Sequence, residues 1–195
     1  DILFQTTGGA QANVGFFDNV ADTRRAGIEL RLAQRLDRLE WRAQYTYLQA
    51  TFEDDFTANS PNHPVFGEDP SAPEIVGDGK LLVASGSQIP GLPRHLLNAG
   101  LDLHLTDRLS VGADASYRSG VYLRGDEANL MDQASGYVVF GLRGEYQLGR
   151  SVRLFARIEN LLDTEYESFG LLGEPDEVLP EFDDPRFLGA GPPLG

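Results

Sequence analysis

Cysteine is absent from the chain. Disulfides, thiolate metal sites and a cysteine nucleophile are excluded with it. Hydrophobic residues make up 41% of the sequence, yet they never run for the roughly 18 consecutive positions a transmembrane helix needs. The opening, Asp1-Ile-Leu-Phe-Gln-Thr-Thr-Gly-Gly, lacks the basic start and apolar core of a secretory signal. That leaves a cytoplasmic protein or a chain whose true N-terminus lies upstream. Positive charge is also scarce: 16 Lys and Arg against 30 Asp and Glu give a net charge of -14. Nucleic acid is therefore excluded as a partner, because phosphate contacts need clustered Lys and Arg. Nucleophile-elbow, Walker and His-Glu-x-x-His motifs are missing, and His63, His95 and His104 are too scattered for a metal site. Adjacent carboxylates (Asp54/Asp55, Asp183/Asp184) point to opposite sides of an extended chain. The residues point away from an enzyme.

Alternation is what the chain has instead. In Ser151–Tyr166, Val152, Leu154, Ala156 and Ile158 share one face of an extended strand, while Arg153, Phe155, Arg157 and Glu159 share the other. A period of two, apolar against charged, marks a strand between two different environments. The pattern recurs along the chain. A segment over 13–35, with a bulge near Asp22, sets Ile28, Leu30 and Leu32 against Glu29, Arg31 and Ala33. Residues 38–55 set Leu39, Trp41, Ala43, Tyr45 and Tyr47 against Glu40, Arg42, Gln44 and Thr46. Strands over 90–105, 109–122 and 136–148 follow, with Asp102, His104, Asp114, Arg118, Arg143 and Glu145 on their polar faces. His95 stands at the lead-in to its strand and His104 faces with the polar set.

Strands of about 13 to over 20 residues exceed the usual mode of about 5–6. Their connections alternate short and long. Leu36-Asp37-Arg38, Thr106-Asp107-Arg108 and Gly149-Arg150-Ser151 are tight turns; 56–88, 123–135 and 167–190 are long loops without a clear period. An antiparallel meander puts all the turns at one end and all the loops at the other, the pattern of outer-membrane barrels. Charge follows the same division. Residues 53–80 carry seven acids against one Lys, 121–136 three against one Arg, and 165–190 eight against one Arg, leaving the strands nearly neutral. Trp41, Tyr45, Tyr47, Tyr117 and Tyr146 sit on apolar faces, where interfacial girdles place such rings. A soluble β-sandwich binding module shows the same alternation with its apolar face inward, and remains the alternative at this point.

Several motifs resemble those of TonB-dependent outer-membrane receptors. Asn19-Val-Ala-Asp-Thr-Arg-Arg-Ala-Gly-Ile-Glu-Leu30 resembles their strand bearing Gly-Val-Glu-Leu, and Ile89-Pro-Gly-Leu-Pro-Arg-His95 their Pro-x-x-Pro-Arg-His lead-in. Tyr122-Leu-Arg-Gly-Asp-Glu-Ala-Asn129 resembles one of their outer loops. Gly136-Tyr137 and Asn160-Leu-Leu-Asp-Thr-Glu-Tyr166 resemble their closing strands. The resemblance spans nearly all of the chain. It implies an all-β fold, an antiparallel meander of about six long strands plus a stub within a transmembrane β-barrel of about 22 strands. Residues 1–195 would then be part of the barrel domain, with the plug domain, coupling segment and final strand outside the sequence.

The implied function is energy-coupled uptake of a ferric siderophore or similar scarce nutrient across the Gram-negative outer membrane. A passive porin-like or export barrel is the alternative. Implied partners are outer-membrane lipid and lipopolysaccharide, the ligand, and the TonB energy-coupling complex acting through the missing N-terminal region. Ligand contacts are expected from Arg118, Tyr122, Arg124, Asp126, Glu127 and Asn129. A wet bore is expected behind the charge ladder of Glu29, Arg31, Glu40, Arg42, Asp102, Asp114, Arg143, Glu145, Arg153, Arg157 and Glu159. No organic cofactor is implied. Carboxylate oxygens in the acidic loops suit Ca²⁺, although Asp54, Asp55, Glu68 and Asp69 lack an EF-hand spacing. Arg124-Gly125-Asp126 matches the tripeptide read by adhesion receptors, a match that arises by chance in many proteins.

Overall fold

The computed structural model describes residues 2–6, 15–173 and 184–195. In chain order the elements are β1 (Ile2–Thr6), β2 (Gly15–Asn19), β3 (Thr23–Arg35) and β4 (Leu39–Phe52), then β5 (Phe56–Asn59), the single-turn helix α1 (Val65–Glu68), β6 (Ile75–Gly77) and β7 (Lys80–Val83). There follow β8 (His95–His104), β9 (Leu109–Arg118), β10 (Tyr137–Leu148), β11 (Val152–Ile158), β12 (Glu167–Leu172) and β13 (Arg186–Ala190). The main sheet has the order β11-β10-β9-β8-β4-β3, antiparallel throughout. Each long strand pairs with its neighbour along the chain, as a meander requires. All three tight turns lie at one end, and the long connections 53–94 and 119–136 lie at the other.

Register turns the alternation into two continuous faces. Trp41 lies opposite Leu101, Leu101 opposite Ala113, Ala113 opposite Leu142 and Leu142 opposite Ile158. No second layer covers that face: Leu101 is 43% exposed, Val111 38%, Phe140 38% and Leu154 55%. A β-sandwich would bury these residues, so the sandwich alternative is overturned. Aromatic rings border the face at both ends. Trp41 and Tyr146 stand near the turns, and Tyr45 and Tyr117 flank Leu97 near the loops. His95 starts β8, but its ring joins this band. It stacks on Tyr45 with centroids 6.1 Å apart, lies 5.3 Å from Tyr47, and shares a 2.8 Å hydrogen bond between Nδ1 and the Tyr45 hydroxyl.

Three expectations need correction. The strands of the main sheet are 13, 14, 10, 10, 12 and 7 residues long, shorter than read from the sequence. Such lengths bracket the roughly 9–11 tilted residues that cross a bilayer; the sequence bounds ran on to the next turn or loop, past the last paired residues. The segment over 13–35 is broken at residues 20–22, and its first part, β2, pairs with β1 in a sheet of its own. The loops over 56–88 and 167–190 are not without regular structure, since β5, β7 and β6 form a three-stranded sheet and β12 pairs antiparallel with β13. Period two over four residues is too brief to stand out, yet it suffices to bury Ala58, Leu81 and Val83. Phe52 closes this small core, meeting Phe56 edge-on at 4.8 Å.

Candidate functional site

The polar face of the main sheet carries a series of ion pairs, the longest of them a chain of Arg42, Asp102, Arg143 and Asp114. Arg42 donates to Asp102 at 3.1 Å, and Arg143 binds both Asp102 oxygens at 2.7 Å and also Asp114. Arg35 pairs with Glu40 at 2.8 Å, Arg153 with Glu145 at 3.1 Å, Arg157 with Glu159 at 3.0 Å and Arg31 with Glu29 at 3.6 Å. His104 lies 3.5 Å from Glu40 and 2.8 Å from the Ser110 hydroxyl. The ladder residues expected from the sequence are thus brought together on one face. Most pairs join adjacent strands, the geometry in which cross-strand opposite charges attract.

Glycines make room for the ladder. A Cβ on Gly100 would sit 2.8 Å from the Arg42 guanidinium carbon, and one on Gly112 would sit 2.5 Å from Asp102 Oδ1 and 2.7 Å from Arg143 Nε. These side chains therefore lie flat against bare backbone. Along the same face a cavity of about 480 Å³ runs between Arg31 and Arg157, past Arg42, Asp114 and Ser116.

At the loop end of this face lies a larger cavity, about 590 Å³. Arg25 and Phe52 enter it from the polar-face positions of β3 and β4, which places it at the mouth of the groove. Its walls are mostly apolar, including Phe17, Ile89, Leu92 and Leu172, with Arg25, Arg124 and Glu127 among them. The Arg124 backbone is held on both sides, its N–H donating to Gly170 O at 3.1 Å and its carbonyl accepting from Leu172 at 2.8 Å. The exposed guanidinium makes no hydrogen bond or ion pair among the described residues.

The other expected contact residues hold the loops. Arg118 donates to Ser168 O at 2.8 Å and to Gly91 O at 3.2 Å, tying the end of β9 to β12 and to the connection before β8. Tyr122 accepts the Gly91 N–H on its carbonyl at 2.9 Å. Asn129, at φ 61, accepts from Gln88 N at 2.6 Å and donates to Gln88 O at 3.0 Å. Asp126 and Glu127 are buried. Burial pushes the Glu127 carboxyl above its ordinary range, against the opposing effect of the Gly125 N–H that it accepts at 3.1 Å. With its Asp enclosed, Arg124-Gly125-Asp126 is not displayed as an adhesion motif. His63, singled out in the sequence only for the metal question, is the buried partner of Asp126. No local signal could link two residues 63 positions apart. Among the described residues no group of three or more His, Asp or Glu is placed to hold a metal ion. The acidic stretch 174–183 lies outside the described residues.

The quoted motifs have structural reasons. A Cβ at Gly27 of Gly-Ile-Glu-Leu would collide with the Tyr47 carbonyl. Asn160 and Asp163 of Asn-Leu-Leu-Asp adopt φ 48 and 50, left-handed values that Asn and Asp tolerate. The Asn160 side chain bonds Thr164 N and O and reaches Pro192 O at 3.1 Å, drawing 192–195 alongside the end of β11.

One face apolar and open, the other charged and grooved, with tight turns at one end and loops at the other: this defines a portion of a transmembrane β-barrel. The family described as TonB dependent receptor-like, β-barrel matches residues 1–161, and the chain belongs to that family. These are proteins of the Gram-negative outer membrane. Among solved structures it is similar to the siderophore receptor PiuA from Acinetobacter baumannii, with 19% identity and a TM-score of 0.66 over 98% of this chain and 22% of that one. It is similar too to the ferric-catecholate import receptor Fiu from E. coli K12 (18%, TM-score 0.60, 98% and 22%). The copper transporter OprC gives 20% identity and a TM-score of 0.64 over 100% and 26%. The chain thus spans about a quarter or less of these receptors. No curated relative matches it.

Proposed function

We propose that this chain is the ligand-facing outer wall of a receptor that imports a metal chelate, a ferric siderophore or similar scarce nutrient, on energy input from the TonB complex. The observation that carries the reading is the 590 Å³ cavity at the mouth of the charged groove, apolar in most of its lining and edged by the unengaged Arg124 guanidinium. Apolar walls with a few placed polar groups suit a small-molecule site, and an exposed guanidinium beside them favours an anionic chelate. Coupling belongs to an N-terminal region outside this sequence, and lipid and lipopolysaccharide are the partners of the outer surface. The relatives described as siderophore, ferric-catecholate and copper proteins support the class of cargo.

The test uses the full-length receptor in cells lacking other iron receptors. Ferric tris-catecholate, ferric citrate and cupric ion serve as probes. Saturable uptake that stops with an uncoupler is expected, and Arg124→Ala should raise the half-saturating concentration of an anionic probe about tenfold. Uptake that is unsaturable and indifferent to the uncoupler would make the protein a passive barrel.

A further inference from the structure

One wall of the outer cavity is made of two loops far apart in sequence, residues 59–62 and 124–127. No sheet joins them. Side chains behind the wall do. The Val65 N–H donates to His63 Nδ1 at 3.2 Å, so the ring hydrogen sits on Nε2 and is donated to Asp126 Oδ1 at 3.1 Å. The same carboxylate accepts the N–H groups of Leu130 at 2.8 Å and Met131 at 3.0 Å. Both side chains are shut off from water, at 1% and 0% exposure. The Ser60 hydroxyl donates to Gly125 O, and Asn129 clamps Gln88 on both its N–H and its carbonyl.

A carboxylate that loses a donor in a dry site bears the full cost of desolvation, so this arrangement is strongly two-sided: intact, or opened as a unit. Asp126 lies two positions from Arg124, whose backbone is fixed although its guanidinium is not. We propose that His63 and Asp126 are positioning residues. They clasp 59–64 to 123–131 as one preformed wall and so present Arg124 to the ligand without loop ordering on binding. The inference rests on the reading of the cavity as ligand-facing.

The experiment uses the full-length receptor in membrane, with His63→Ala, His63→Gln and Arg124→Ala. Amide exchange at Leu130 and Met131 reports the clasp without any ligand. Ferric tris-catecholate uptake, split into half-saturating concentration and maximal rate, reports positioning. His63→Ala should speed both exchanges and raise the half-saturating concentration, each about tenfold, at unchanged maximal rate. His63→Gln returns an N–H donor near the Nε2 position and should restore both; it also decides the matter if the alanine variant does not assemble. Unchanged exchange in His63→Ala overturns the clasp. Faster exchange with an unmoved half-saturating concentration, while Arg124→Ala moves it, overturns positioning and leaves the ligand reading standing. If Arg124→Ala moves nothing either, the ligand reading fails and positioning falls with it, while the exchange rates still report the clasp.

Discussion

In the six-stranded sheet Leu101, Val111, Phe140 and Leu154 face outward, whereas at the loop end Ala58 and Val83 close on Phe52, the last residue of β4, and Leu81, paired with Ala58, is buried too. The sheet keeps its charges on the inner face, paired but partly wet; the loops enclose His63 and Asp126 completely. One chain thus uses two solvents. The sheet is arranged for lipid on one side and water on the other, so its hydrophobic residues need no protein partner. The loops stand in water alone and must build a core of the ordinary soluble kind.

The comparison can be broken from either side. Phe52→Ala should have the largest effect, about 3–5 kcal/mol lost from the loop core. It should appear as proteolysis and fast amide exchange in residues 50–90 of a receptor that still assembles. If the whole barrel fails instead, the two regions are not separately stabilised. Ala99→Arg, at the middle of β8 on the lipid side, should cost about 2–4 kcal/mol on unfolding from phospholipid vesicles. Its neighbour Asn98→Arg, facing the groove, should stay within about 0.5 kcal/mol. Equal costs would mean that the faces are wrongly assigned.

The smallest effect concerns Glu127. Its carboxyl is raised by burial, so its stabilising contribution is complete below the unfolded value of 4.5 and is lost as pH rises toward the folded value. Glu127→Gln should therefore slow exchange in the 123–131 loop at neutral pH and make no difference below about pH 4.5. Slower exchange only in acid would reverse the sign and refute the assignment.

How much of this was legible in the sequence follows the same division. Period two persists for ten or more residues in β4, β8, β9 and β10, so strands, faces, register sense and loop side could all be read before any coordinates. Strand ends could not, because nothing in the sequence between Arg118 and Tyr122 or between Phe52 and Asp55 marks where pairing stops. In the loops the strands are three to six residues long and the decisive contact joins His63 to Asp126, far apart in the chain. The residues expected to contact a ligand lie in the loops around the outer cavity, and most of them brace those loops. Asp126 and Asn129 look like ligand groups in a sequence because polar loop residues usually face water; here backbone N–H groups and carbonyls take them up.

The flat seating of Arg42 and Arg143 over Gly100 and Gly112 keeps both guanidinium groups close to the sheet. A methyl group at either glycine would meet the arginine laid over it from the neighbouring strand and lift that side chain off the sheet, a displacement passed through space and without change in net charge.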